Sequence, residues 1–157
     1  MKKPFSDRAQ CALEMSDQEA RNMRHRFLCS QHILLGLVRE ETGFAYLALE
    51  ELGFDLNIAR RAVLSFVCVG DREVTVKDIP RSECFVQVLT TAAKVSDSMK
   101  HTHIGTEHLF LGILKNPGCI AARALVSLGP TLKEYEMAMI GKLVSSLPRD
   151  FLFPWDE

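Results

Sequence analysis

The sequence predicts an all-α fold in which one four-helix motif is used twice, giving about eight helices in a pseudo-twofold arrangement. Three observations carry this: an internal repeat, apolar residues at helical spacing, and paired start and stop signals. The segment Ser30-Gln31-His32-Ile33-Leu34-Leu35-Gly36-Leu37-Val38 matches Thr106-Glu107-His108-Leu109-Phe110-Leu111-Gly112-Ile113-Leu114, and His108 lies 76 residues after His32. The same offset relates Ser6 to Ser82, Leu13 to Leu89, Met23 to Met99 and His25 to His101. It also relates Ala45, Ala48, Leu49, Leu52 and Gly53 to Ala121, Ala124, Leu125, Leu128 and Gly129. A fixed period of this kind marks a tandem duplication.

The first helix of each copy is expected over about Ser6 to Met23 and Ser82 to Met99. The serine accepts from free amides of the first turn, and Ala9, Ala12, Leu13, Ala20 and Met23 form an apolar stripe. The second is expected to start at Ser30 or Thr106 as hydroxyl caps. It is apolar on nearly every side, which places it in the middle of a bundle. The third covers Gly43 to Leu52 and Cys119 to Leu128, each stopped by a glycine that takes a left-handed conformation cheaply. The fourth is capped by Asp55 or Thr131 and runs to about Val67 or Val144. Within a single domain over 1–157, repeat 1 then spans about 5–68, a linker 69–80, repeat 2 about 81–147, and a tail 148–157. The linker is polar between Gly70 and Pro80, with Val74 and Val76 as a short extended piece. The tail is too proline-rich for a helix. Its aromatics are expected to fold back onto the bundle, with docking onto a partner as the sharper alternative.

Bulk properties narrow the function. The 157 residues suffice for one core but not for a domain plus an ATPase engine. A net charge of -1 gives no field favouring nucleic acid or an anionic membrane, so neither is expected as a partner. The basic start lacks the apolar run of a secretory signal, and no stretch is long enough for a membrane span. A cytoplasmic location follows, or an organelle interior after loss of a targeting segment. Five scattered cysteines, with no C-x-x-C pair, argue against a disulfide framework or zinc site; most are expected to be small buried residues.

Enzyme signatures are missing. Gly141-Lys142-Leu143 lacks the rest of a phosphate-binding loop, and neither G-x-S-x-G nor H-E-x-x-H occurs. His101-Thr102-His103 joined by His25 or His108 offers a metal nitrogens, but with no carboxylate nearby to complete the set, no metal or cofactor is expected. His32 and His108 read as packed helix-start residues rather than catalysts. Phe44, Tyr46 and Phe54 hint at an exposed contact surface, and core packing explains them equally well.

Gly105-Thr106-Glu107-His108-Leu109-Phe110-Leu111-Gly112-Ile113-Leu114 closely resembles the G-T-E-H-I-L-L-G-L motif found twice in the N-domains of Clp-type unfolding ATPases. Phe5-Ser6-Asp7-Arg8-Ala9 resembles their F-T-x-R-A opening, and Met23-Arg24-His25 and Met99-Lys100-His101 match an L-G-H position. The resemblance covers roughly Phe5 to Leu147. It implies a non-catalytic bundle on top of a hexameric unfoldase that binds adaptors and substrates. It also implies that the motif glutamate recognises phosphorylated arginine, a carboxylate meeting the guanidinium while hydroxyls and helix-start amides meet the phosphate. Carried over residue by residue, this marks Glu107, Thr106, Gln31, Ser30, Ser6 and Ser82 as ligand- or partner-binding. The first copy departs: it has Cys29 before Ser30, and Gln31 where the family has the acid. In the second copy, Cys84 stands where the first has Arg8. One altered site is expected rather than two. For Glu107 the competing role is purely structural, an acid on the positive end of a helix.

Three functions follow. One is a free-standing module docking Clp ATPase or protease subunits, adaptors or substrate proteins, which a chain running from Met1 to an acidic tail favours. The second is the N-domain of a longer unfoldase. The third is a small-ligand receptor of phosphoarginine type.

Overall fold

The computed structural model describes residues 3–146, so the tail 148–157 lies outside the described residues. The described residues form eight helices: α1 (Asp7–Asn22), α2 (Ser30–Glu40), α3 (Phe44–Glu51), α4 (Leu56–Leu64), α5 (Glu83–Ser98), α6 (Thr106–Leu114), α7 (Ile120–Ser127) and α8 (Leu132–Ser145). The 76-residue offset maps α1 onto α5 and α3 onto α7 residue for residue. Even the backbone exceptions repeat: Arg24 and Lys100 both sit at φ 58, and Gly53 and Gly129 carry the positive φ that ends α3 and α7.

Packing follows the same exchange. α1 lies on α2 and α5 on α6; α3 meets α8 as α7 meets α4; α2 and α6 meet near the centre. Two isolated parallel bridges interlock the halves, Phe5 with Ile104 and Arg81 with Leu28, each the image of the other. Their amides are satisfied across the repeats, Ser6 N–H to Ile104 O at 2.9 Å and Ser82 N–H to Leu28 O at 2.9 Å. The linker 69–80 contains no helix. Most of it is exposed, although Ile79 is buried and Arg21 reaches the carbonyls of Val74 and Lys77.

The central helices are almost wholly buried, Ser30–Val38 and Thr106–Leu114 throughout. Two glycines let them approach their neighbours. A Cβ on Gly36 would run into the Ala12 carbonyl of α1, and one on Gly112 would meet the Val88 carbonyl at 2.7 Å. Tyr135, fully buried on α8, donates its hydroxyl to the Leu125 carbonyl at 2.6 Å. Burial, and next the Glu134 charge, raises its pKa.

Three expectations are corrected. Ser30 and Thr106 do not cap their own helices; the caps are Cys29 and Gly105, whose amides donate to the rings of His32 (2.9 Å) and His108 (2.8 Å). The Ser30 hydroxyl instead accepts from Ala121 N–H at 3.2 Å, at the start of α7 in the other repeat. α4 stops at Leu64 rather than near Val67, because Ser65 turns its amide and hydroxyl onto the Ala62 carbonyl. Of the five cysteines only Cys119 is buried, since Cys68 and Cys84 fall on outward positions and Cys11 and Cys29 are half-covered. Phe44, Tyr46 and Phe54 are half-buried against the core, the packing alternative of the two.

Candidate functional site

The Phe5–Ile104 bridge sets the N-terminus of α1 beside that of α6. Two positive helix ends therefore face one cleft of about 260 Å³. Ser6, Arg8, Phe44, Thr106 and Glu107 line it, together with Asp7, His103 and Gly105. The Ser6 hydroxyl is partly committed, accepting from Ala9 N–H at 3.1 Å. Thr106 is buried against Gly43, where a Cβ would strike its hydroxyl.

Glu107 is buried, and its carboxylate folds back over Gly105 so closely that a Cβ there would collide with it. This links the two departures in the first repeat. Cys29 occupies the position of Gly105, so an acid at 31 in the same pose would meet the cysteine side chain; Gln31 stands there instead. Gln31 is 3% exposed, and its Oε1 has no hydrogen-bond partner among the described residues. The offset further turns Arg8 into Cys84 and His103 into Phe27. Of the two positions related by the offset, the one between α1 and α6 has the pair of Arg8 and Glu107. Ser82 accepts from Phe85 N–H at 3.2 Å in the other half, beside Gln31 and Ser30 rather than Glu107. The six residues marked from the sequence thus divide, Ser6, Thr106 and Glu107 in the cleft and the other three at its pseudo-symmetric position.

Behind Glu107 runs a fixed histidine relay. Gly105 N–H donates to His108 Nδ1, so the ring proton resides on Nε2, which donates to His101 Nδ1 at 2.8 Å. In the first half the same chain runs from Cys29 N–H through His32 to His25 (2.8 Å), ending at the Cys68 carbonyl (2.8 Å). Burial, with His101, His103 and Lys3 adding to it, lowers His108 to a pKa of about 4; burial and then His25 lower His32 to about 3. Both rings are neutral at neutral pH. The 3.6 Å approach of Glu107 to His108 Nδ1 is accordingly no ion pair, since that nitrogen is an acceptor.

The structure corrects one point about metals: a carboxylate does lie near the histidines, and donor atoms of His101, Glu107 and His108 fall within 4.8 Å of one another. Both nitrogens of His108 are nevertheless engaged in the relay, which leaves Glu107 and one nitrogen of His101 as free ligands. A tetrahedral site needs three or four. The cleft offers a buried carboxylate to a cation, and a guanidinium with two helix starts to an anion.

Residues 4–138 match the profile of the Clp repeat (R) N-terminal domain. The chain belongs to that family. It is 35% identical over 141 residues to an ATP-dependent Clp protease ATP-binding subunit ClpA homolog of Cyanidium caldarium, covering 88% of this chain and 16% of that protein. It is 32% identical over 143 residues to the negative regulator of genetic competence ClpC/MecB of Bacillus subtilis, covering 90% and 17%. The chain thus spans about one sixth of the length of these curated relatives. Among solved structures, the N-terminal domain of the chaperone ClpD from Arabidopsis thaliana superposes with a TM-score of 0.75 at 28% identity, covering 89% of this chain and 94% of that one. The Hsp104 N-terminal domain of Candida albicans shares the fold, with a TM-score of 0.75 at 17% identity over 92% and 94%.

As a Clp N-domain, the chain has the doubled bundle, with the charged cleft at Glu107. Arg8, carried by the opening motif, lines that cleft too, as do Asp7 and His103, which were not marked as ligand-binding from the sequence. What the motif left open was the juxtaposition: the bridge pairing brings residue 8 next to residue 107 and is invisible to local periodicity.

Proposed function

We propose that this Clp N-domain is a protein-docking module of the Clp system, binding substrate proteins, adaptors or Clp subunits through the cleft at Glu107, with no catalysis of its own. The observation that carries this is the pairing of a buried carboxylate and an arginine beneath two helix N-termini. That arrangement suits a side chain bearing a cation and an anion together, such as phosphoarginine. The companion position has Gln31 and Cys84 in place of that carboxylate and arginine, which makes the domain single-sited.

Calorimetry with phosphoarginine and with peptides carrying it tests the cleft. One site per chain is expected, and Glu107→Gln should weaken it at least about tenfold, since the charge-assisted bond is what the amide loses. No heat with the free ligand or the peptides removes the receptor reading. A pull-down that recovers no Clp subunit, adaptor or substrate removes the docking reading as a whole.

A second reading, that this is the N-domain of a full-length unfoldase, is favoured by the relatives carrying it as about one sixth of their length. A reading frame continuing past Glu157 into a phosphate-binding loop decides it. No helix among the described residues is long and apolar enough to cross a membrane. With chloroplastic ClpC proteins of rice and pea among the relatives, the cytoplasm or an organelle stroma is the proposed location.

A further inference from the structure

Beside the charged cleft lies an apolar groove of about 560 Å³, walled by Phe44, Met99, Ile140, Leu143 and Val144. Phe44, His103 and Glu107 line both spaces, so the groove is continuous with the cleft. Ile140 and Val144 are 41% and 43% exposed, one turn apart on the same helix end.

The groove is built by an asymmetry between the repeats. α8 runs 14 residues and α4, its counterpart, only nine. The additional turn and more of α8 carries Leu143 and Val144 alongside Met99 and His101. In the first half the chain leaves the helix at Ser65, and the Cys68 carbonyl closes onto His25, the counterpart of His101. The extended helix therefore occurs in the half that holds Glu107, beside the cleft that has both Arg8 and Glu107.

We propose that the groove is a specificity subsite for a bulky apolar side chain two residues from the charged residue that enters the cleft. In an extended peptide, residues i and i+2 project on the same side about 7 Å apart, which suits two spaces sharing a wall. The partner is thus a segment pairing a phosphoarginine-like residue with Leu, Ile, Met or Phe at that spacing. This rests on the reading of the cleft given above.

Two phosphoarginine heptapeptides, with leucine or serine two residues after the modified residue, separate the possibilities by calorimetry. The leucine peptide should bind at least about tenfold tighter, the factor that about 1.4 kcal/mol produces. Val144→Asp and Ile140→Asp, both on exposed positions, should bring the two peptides to within about twofold, with far-UV circular dichroism confirming that each variant is folded. Equal binding of both peptides to the unaltered chain overturns the subsite and leaves the cleft standing. A leucine preference that survives both substitutions overturns it as well. Failure of both peptides to bind overturns cleft and subsite together. Trp155 is the sole tryptophan; a shift in its emission on Val144→Asp, with no peptide present, would assign the groove to the chain's own residues 147–157 and overturn the inference.

Discussion

Protonating His108 requires giving up the bond from Gly105 N–H to Nδ1, and protonating His32 gives up the one from Cys29 N–H. Both folded pKa values, about 4 and about 3, lie below the ordinary value of 6.5. As the pH falls below about 6.5 the unfolded chain takes up protons that the folded chain refuses, so stability falls with pH; above 6.5 the contribution is complete and constant. Each ring contributes a slope approaching about 1.4 kcal/mol per pH unit once its unfolded counterpart is charged. The window from pH 7 to 5 isolates the histidines, because unperturbed carboxylates titrate lower. The urea midpoint should decline through that window; a level midpoint would mean the rings titrate like exposed histidines. Glu107 belongs to the same scale. Its acid stabilises the α6 N-terminus by about 0.3–1 kcal/mol, so Glu107→Gln should barely move that midpoint at pH 7 while weakening the binding as described above. A loss of several kcal/mol would make Glu107 a structural residue first.

Helices α1, α2 and α4 are tied at one point. Glu19, 1% exposed, receives Arg60 Nη2 at 2.5 Å and Arg39 Nη1 at 3.4 Å. Glu19→Ala should cost about 1–3 kcal/mol of unfolding free energy, less than for a fully enclosed pair because both arginines retain solvent. The glycine contacts give an opposite-sign test. In an exposed helix Gly→Ala stabilises by up to about 1 kcal/mol. At Gly36 the new methyl meets the backbone of α1, so Gly36→Ala should instead destabilise by about 1–3 kcal/mol, with Gly112→Ala milder. Denaturant midpoints that rise for either variant would refute the close approach. This scale also shows what a sequence can disclose. α1, α3, α5 and α7 end within a residue of their expected limits because serine caps and stop glycines act locally. The end of α4 and the partner of Ser30 are decided by turns and helices elsewhere in the chain. For the site, the motifs pointed to Glu107, Thr106 and Arg8, but Arg8 meets the other two only through a bridge spanning almost a hundred residues, and Phe44 only through the packing of α3 on α6.

At the scale of the molecule, the two repeats complete each other rather than stand side by side. α1 starts against the loop before α6, and α5 against the loop before α2, each through a pair of backbone bonds: Ile104 N–H to Pro4 O at 2.9 Å and Leu28 N–H to Pro80 O at 2.8 Å close the second of each. The Ser30 hydroxyl of the first repeat serves α7 of the second, and buried residues from all eight helices form one continuous core. Cutting the chain between repeats would expose the faces of α2 and α6 that now pack on each other and on α7 and α3. Unfolding should therefore be a single transition, with helical circular dichroism and amide-exchange protection in α2 and α6 lost together. Residues 1–77 expressed alone should show no cooperative melt, because half of every interlocking bond would be missing and the buried faces of α2 would meet water. A first repeat that melts cooperatively by itself, or exchange protection in α2 that outlasts that in α6 by several kcal/mol, would mean that duplication produced two tethered units. The charged cleft depends on the same interlock, since α1 supplies Arg8 and α6 supplies Glu107. Loss of the second half should remove ligand binding even where some helix persists.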